Sequence, residues 1–149
     1  VRTTRFGTVE IAEDRVITFP KGILGFSDFS RFCLLEPAED SAFFWLQSLD
    51  DPSLAFVVTD PSFFVPDYSV PVRQDQMGDL GLSRLEDAQV FVIVNKVEQT
   101  LTGNLQGPLV INTLTRTGEQ LVLAEKRWQI RHPLVSVGKT AAAPRAMSA

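Results

Sequence analysis

Apolar residues in this chain occur in short runs that are separated by clusters of Asp, Pro, Gly and Asn. Runs that are rich in β-branched and aromatic residues predict buried strands. The clearest runs are residues 42–47, 54–58, 90–94 and 109–111. Many short strands at near-regular spacing, with little helix, predict a mainly β, antiparallel β-barrel-like single domain.

The only helical pattern lies around residues 74–88, where Gly78 and Gly81 argue against one long helix. We therefore expect one or two short helices there. The folded domain is expected to cover residues 1–137. Residues 138–149 lack large apolar side chains other than Met147, which predicts a mobile C-terminal tail.

The N-terminal part predicts a β-hairpin, because residues 5–11 alternate in polarity and a polar stretch separates them from the apolar residues 16–19. Gly22 and Gly25 then mark a bend. The bend also contains Ile23, Leu24 and Phe26, which are too apolar for a free loop. We expect these three side chains to plug one end of the core.

Residues 60–71 form an unusual segment in which Phe63, Phe64 and Tyr68 lie among three prolines. Proline cannot donate a backbone hydrogen bond, so the segment is a poor central strand. Two interpretations remain open. The rings fold back as lids on the core, as most aromatic residues do, or some of them form a protein-binding surface.

Charge and composition argue against several functions. The net charge is −4 and the basic residues are scattered, which disfavours direct nucleic acid binding. No run approaches the roughly 18 apolar residues of a membrane helix. A single cysteine, Cys33, allows no internal disulfide and is typical of a cytoplasmic protein.

Candidate chemistry is sparse. One histidine and one cysteine cannot supply a zinc cluster, and no pattern indicates another metal or a cofactor. A nucleophilic arrangement of His132 with Ser136 or Cys33 is formally possible, but no Gly-x-Ser-x-Gly elbow supports it. We predict that the protein is not an enzyme and has no catalytic residues.

Five blocks, in order along the chain, resemble the bacterial flagellar assembly factor FliW family. The first is the bend Phe19-Pro20-Lys21-Gly22-Ile23-Leu24-Gly25-Phe26, which is similar to the Phe-x-x-Gly-(Ile/Leu)-x-Gly-Phe bend of that family. The others are residues 44–48, 60–68, 104–112 and 131–134. Pro66 departs from the family pattern, in which a charged residue is common.

The resemblance implies a non-enzymatic, cytoplasmic β-barrel-like protein. Such proteins bind flagellin and the RNA-binding carbon storage regulator CsrA, and so relieve the translational repression of flagellin. The candidate partner-binding residues are Phe63, Phe64, Pro66, Asp67, Tyr68, Asn104 and His132. The three aromatic residues are chosen as an apolar groove for a helix face, with Asp67 as a charge at its rim, and Asn104 and His132 are carried over as motif positions of the family. For Asn104 a structural role in a strained turn is favoured over partner binding.

Three alternatives remain at this point. The aromatic residues of a small-ligand-binding β-barrel would line a closed apolar pocket that contains Phe63 and Phe64. A hydrolase would place a carboxylate or hydroxyl beside His132 in a cleft. A single-stranded nucleic acid binder on an OB-like barrel is the third alternative, and the acidic charge argues against it.

Overall fold

The computed structural model describes the backbone of residues 2–3 and both backbone and side chains of residues 6–136. The predicted tail, residues 138–149, lies outside the described residues. The strands are β1 (Arg2–Thr3), β2 (Gly7–Thr8), β3 (Ile17–Thr18), β4 (Arg31–Leu35), β5 (Phe43–Ser48), β6 (Ala55–Thr59), β7 (Ala88–Val97), β8 (Thr100–Gly103), β9 (Leu109–Asn112), β10 (Thr117–Gln120) and β11 (His132–Ser136). The α-helix is α1 (Gln74–Leu80), and short 3₁₀ turns occupy Glu13–Arg15, Pro61–Phe63 and Leu85–Asp87.

Strands β3 to β11 form one sheet that closes into a barrel-like ring. The strand order is β11-β8-β7-β6-β5-β4-β3-β10-β9, and β9 also pairs with β7. The first half of β7, from Ala88 to Phe91, pairs with β9, whereas Val94 to Val97 pair with β8. The prediction of a mainly β, barrel-like fold with short helices around residues 74–88 is thus confirmed. All pairings are antiparallel within this sheet except the parallel contact of β10 with β3.

The predicted N-terminal hairpin is wrong. Strand β2 pairs with β1 in a separate small sheet, and β3 pairs with β4 and β10. The intervening residues include the 3₁₀ turn Glu13–Arg15, which leads the chain away from β2. Alternating polarity indicated strand-like backbone in this region, but it carries no information on which strand is the partner.

Two apolar clusters lie on opposite faces of β9. The inner cluster fills the ring and includes Phe19, Phe32 and Leu46 from three other parts of the chain, together with Leu109 and Ile111 of β9. The outer cluster includes Val110 of β9 and covers the outside of the ring. Successive side chains of a strand point to opposite faces, which explains why all four residues of β9 are buried.

The bend after β3 is only partly a core plug. Ile23 is buried in the inner cluster as predicted, but Leu24 is 77% exposed and Phe26 is 38% exposed. The expectation that all three side chains plug the core is therefore wrong for Leu24. Gly22 and Gly25 have φ angles of 70° and 88°, and these backbone conformations turn the Leu24 side chain outward at the tip of the bend.

We predict that Gly22→Ala destabilises the protein more than Gly25→Ala. A Cβ at Gly22 would lie 2.4 Å from the Cα of Ser27, whereas at Gly25 no atom would lie within 4 Å. Both substitutions put alanine in left-handed backbone, which lowers the free energy of unfolding by about 1–2 kcal/mol. The clash at position 22 lowers it by about 1–3 kcal/mol more. Urea unfolding measures the stability of both variants. Equal losses of stability at the two positions would contradict the close contact between Gly22 and Ser27.

Candidate partner-binding surface

The aromatic segment begins with a rigid turn. Asp60 precedes the 3₁₀ turn Pro61–Phe63, and its Oδ1 atom accepts hydrogen bonds from the backbone N–H (2.9 Å) and hydroxyl (2.7 Å) of Ser62. Its Oδ2 atom accepts a hydrogen bond from the Gln89 side chain in β7 at 3.2 Å. These bonds attach the segment to the ring before the aromatic side chains begin.

The two phenylalanines differ in exposure. Phe63 is 60% exposed to solvent. Phe64 is half-buried, stacks on Phe43 with 5.7 Å between ring centroids and packs against the outer cluster. Pro66 is exposed beyond them. Of the two rings, Phe63 is therefore the one available to a partner, and Phe64 anchors the segment.

Tyr68 fastens the other end of the segment. Its hydroxyl donates a hydrogen bond to the carbonyl oxygen of Leu105 at 2.5 Å, and its ring meets Trp128 edge-on with centroids 4.8 Å apart. Burial raises the pKa of Tyr68 above its ordinary value because the phenolate would lose hydration. Tyr68 therefore stays protonated and keeps its hydroxyl as a donor.

Asp67 lies at the exposed rim beside Tyr68. Its carboxylate pairs with the Arg127 guanidinium, which also lies 4.4 Å from the centroid of the Trp128 ring. Neither Arg127 nor Trp128 is among the candidate site residues predicted from the sequence. The adjacent bases Lys126 and Arg127 were a signal, but their distance from Asp67 in sequence concealed the pairing.

Asn104 and His132 are both next to Gly103: Asn104 follows it along the chain, and His132 lies opposite it on the neighbouring strand. The Asn104 Oδ1 atom accepts backbone hydrogen bonds from Gln106 (3.1 Å) and Gly107 (2.9 Å), which is the turn-forming role favoured for it. His132 pairs with Gly103 in the β11–β8 ladder. Since Tyr68 bonds to Leu105, the stretch from Gly103 to Leu105 brings three of the predicted positions together, and Phe63 and Phe64 lie further along the segment.

The ligand-barrel alternative required a closed pocket that contains both phenylalanine rings. The exposure of Phe63 is incompatible with such a pocket at this position. For the hydrolase alternative, the Ser136 hydroxyl donates to the Gln99 carbonyl oxygen at 3.4 Å, and Cys33 is buried in β4. Burial also raises the pKa of the Cys33 thiol, which disfavours the reactive thiolate.

Two further findings concern the described residues only. Across residues 6–136, no group of three or more His, Cys, Asp or Glu side chains is placed to hold a metal ion. No helix in that part of the chain has both the length and the apolar character needed to span a membrane.

The fold and this surface define a class of protein: a barrel-like β domain with an exposed aromatic and charged surface attached to its outside. A family model described as "FliW protein" matches residues 1–134. Flagellar assembly factor FliW of Natranaerobius thermophilus is 37% identical over 137 residues, which cover 90% of this chain and 91% of that protein. The protein of the same name from Bdellovibrio bacteriovorus is 38% identical over 136 residues, covering 90% and 78% respectively.

A solved structure agrees with the sequence comparisons. A crystal structure of the flagellar assembly factor FliW matches with a TM-score of 0.83 and 32% identity, covering 91% of this chain and 96% of that one. The chain belongs to the FliW family. The resemblance of the five sequence blocks is thereby confirmed.

We predict that the folded protein shows no phenolate absorbance as the pH rises through 10, the ordinary pKa of tyrosine. Tyr68 is the only tyrosine, so the near-ultraviolet phenolate band reports on it alone. Because its folded pKa is raised, the stability that it contributes is complete below pH 10 and is lost as the pH rises towards the folded pKa. The band should appear together with unfolding.

The control for this titration is the same chain in concentrated urea, where Tyr68 should titrate near pH 10. Tyr68→Phe should show no band under either condition. A folded protein that titrates near pH 10 would show that the hydroxyl is not held in the buried hydrogen bond to Leu105.

Proposed function

We propose that this protein is a non-enzymatic, cytoplasmic flagellar assembly factor that binds flagellin and antagonises CsrA, thereby relieving repression of flagellin synthesis. Membership of the FliW family over essentially the whole chain carries the proposal. The relatives are named flagellar assembly factors, and the chain covers 91% of the relative from Natranaerobius. We assign it no cofactor, no direct nucleic acid binding and no membrane association.

The partner-binding surface that we propose comprises Phe63, Phe64, Pro66, Asp67, Tyr68, Asn104 and His132. Phe63 supplies an exposed apolar anchor, the kind of residue that dominates binding energy at protein interfaces. Phe64 and Tyr68 hold the segment in place through Phe43, Trp128 and Leu105, so little conformational entropy is lost when Phe63 is covered. Flagellin helices with one apolar face fit such a surface.

Asp67 gives this surface a carboxylate that can exchange its ion-pair partner. In the free protein its carboxylate is paired with Arg127, and both side chains are more than half exposed. An exposed ion pair of this kind contributes little to stability, about 0–1 kcal/mol. A basic partner therefore needs to displace only a weak contact to gain the carboxylate at the rim.

Antagonism of CsrA follows from charge without requiring that the RNA site be covered. The chain carries a net charge of −4. When an acidic protein is bound beside a basic RNA-binding surface, it lowers the positive potential that attracts phosphate. The interaction acts over about a Debye length, roughly 10 Å in 0.1 M salt.

We predict that Phe63→Ala weakens binding to purified flagellin or CsrA by at least tenfold, because it removes an exposed aromatic anchor worth about 2 kcal/mol or more. Isothermal titration calorimetry with each purified partner measures this effect. The matched control is Leu85→Ala, which removes a side chain of similar exposure from the 3₁₀ turn Leu85–Asp87. This control should bind as the wild type does.

Two results would count against different parts of the proposal. If wild type binds neither purified flagellin nor purified CsrA, the assignment of function is wrong. If it binds both and Phe63→Ala binds equally well, the function stands and the binding surface lies elsewhere.

We further predict that antagonism of RNA binding by CsrA weakens as salt is raised from about 0.05 to 0.5 M, because salt shortens the range of the field. Competition between RNA and this protein is followed at saturating protein, and calorimetry confirms that the protein complex persists. Antagonism that is unchanged by salt while the complex persists would contradict the field mechanism.

A further inference from the structure

The extended backbone of β10 continues past Gln120 to Leu123, and one of its edges is unpaired among the described residues. On one side, the N–H of Leu121 donates to the Pro108 carbonyl (2.9 Å) and the N–H of Leu123 donates to the Gln106 carbonyl (2.8 Å). On the other side, β3 pairs with β10 only at Thr117. From there to Leu123 no described strand pairs with it on that side, where the bend of residues 21–25 lies.

The backbone of Val122 faces this free edge, because alternate residues of a strand direct their N–H and C=O groups to opposite sides. Its N–H and C=O groups form no hydrogen bond with any described residue. The neighbouring bend does not complete the ladder. The N–H of Leu24 instead donates to the Gln120 side-chain oxygen at 2.8 Å.

The edge lacks the charged residues, prolines and bulges that protect many free strands. Residues 120–124 are Gln-Leu-Val-Leu-Ala, without a charge or a proline. The outer edge of β11, in contrast, carries Pro133 and a register shift between Pro133 and Val135. Prolines and bulges prevent unwanted strand pairing at such edges. The molecule thus protects one free edge and leaves the other open.

Exposed apolar side chains surround the open edge. Leu24, Val122 and Ile130 are 77%, 68% and 60% exposed, and all three line one small cavity together with Asn104. Leu24 and Val122 also line a second cleft of about 250 Å³ between the bend and the strand. A strand that lies along this edge would place every second side chain against these apolar groups.

Three charged side chains lie at one end of this cleft. Lys21 lines it and also contacts two carboxylates, Asp79 at 3.0 Å and Glu119 at 3.4 Å. One cation facing two anions leaves an excess negative charge at this end. A Lys or Arg beyond the apolar positions of a bound peptide would be complementary to it.

We propose that the edge at residues 120–123 binds an extended peptide of another protein, which adds a strand to the sheet. The peptide carries apolar side chains at alternate positions and a basic residue at the end near Lys21. A second copy of this chain is a poorer occupant, because each copy's bend flanks its own edge and two bends would meet in one cleft. This site is additional to the surface around Phe63, and Asn104 lies where the two surfaces meet.

The test is selection of binders from a random phage-displayed peptide library on the folded, full-length chain. We expect the selected peptides to show apolar residues at every second position with a flanking Lys or Arg. Synthetic copies should bind wild type and lose at least tenfold in affinity for Val122→Lys, which puts a charge at the edge. The control Leu114→Lys alters a similarly exposed leucine in the turn after β9 and should bind as wild type does.

Two measurements keep the proposal falsifiable. In hydrogen exchange, the bound peptide should protect the Val122 amide, as backbone pairing at this edge requires. Val122→Pro removes that donor without removing the internal bonds of Leu121 and Leu123, and should also abolish binding. Denaturant unfolding checks that each variant is folded.

Several outcomes would overturn the proposal. They are the absence of selected binders, helical i, i+3, i+4 apolar spacing in the selected peptides, an unprotected Val122 amide in the complex, and full affinity for Val122→Lys. Analytical ultracentrifugation tests one further outcome that would overturn the proposal. A wild-type dimer that is lost in Val122→Lys would make a second copy the occupant instead.

Discussion

The pairing of β7 with β9 is the constraint on which the rest of the molecule depends. It closes the ring, and it requires β9 to be apolar on both faces because the inner cluster lies on one side and the outer cluster on the other. Asn112 ends the strand with a buried side chain that donates to the Leu80 carbonyl at 2.9 Å. That bond attaches the end of α1 to the ring, so closure also positions the residues before β7.

The outer cluster explains why the aromatic segment can be both anchored and exposed. Phe64 and Tyr68 pack against it, whereas Phe63 and Asp67 are exposed to solvent. A binding segment that is already ordered loses less entropy when a partner binds. The prolines of the segment act in the same direction, since they restrict the backbone of the free protein.

The two proposed binding surfaces differ in the kind of recognition they offer. The surface around Phe63 presents side chains on a rigid support, and a helix face suits it. The edge at residues 120–123 presents backbone groups with apolar flanks, and only an extended chain can use them. Asn104 lines the small cavity beside the edge, so the turn 104–107 that its side chain forms lies next to both proposed surfaces. The order of the sheet thus determines the exposed groups on both surfaces.

Local sequence by itself determined the strands around residues 90–94 and 109–111, the short helix within 74–88 and, through five ordered blocks, the family. These features follow from apolar periodicity, turn residues and motif order, all of which are local. Only the tertiary structure decided strand partners and exposure. The predicted N-terminal hairpin failed, Leu24 is exposed beside buried Ile23, and Tyr68 is anchored by Leu105, which is 37 residues away. Strand partners and exposure depend on contacts between residues that are far apart in sequence, and local sequence patterns carry no information about those contacts.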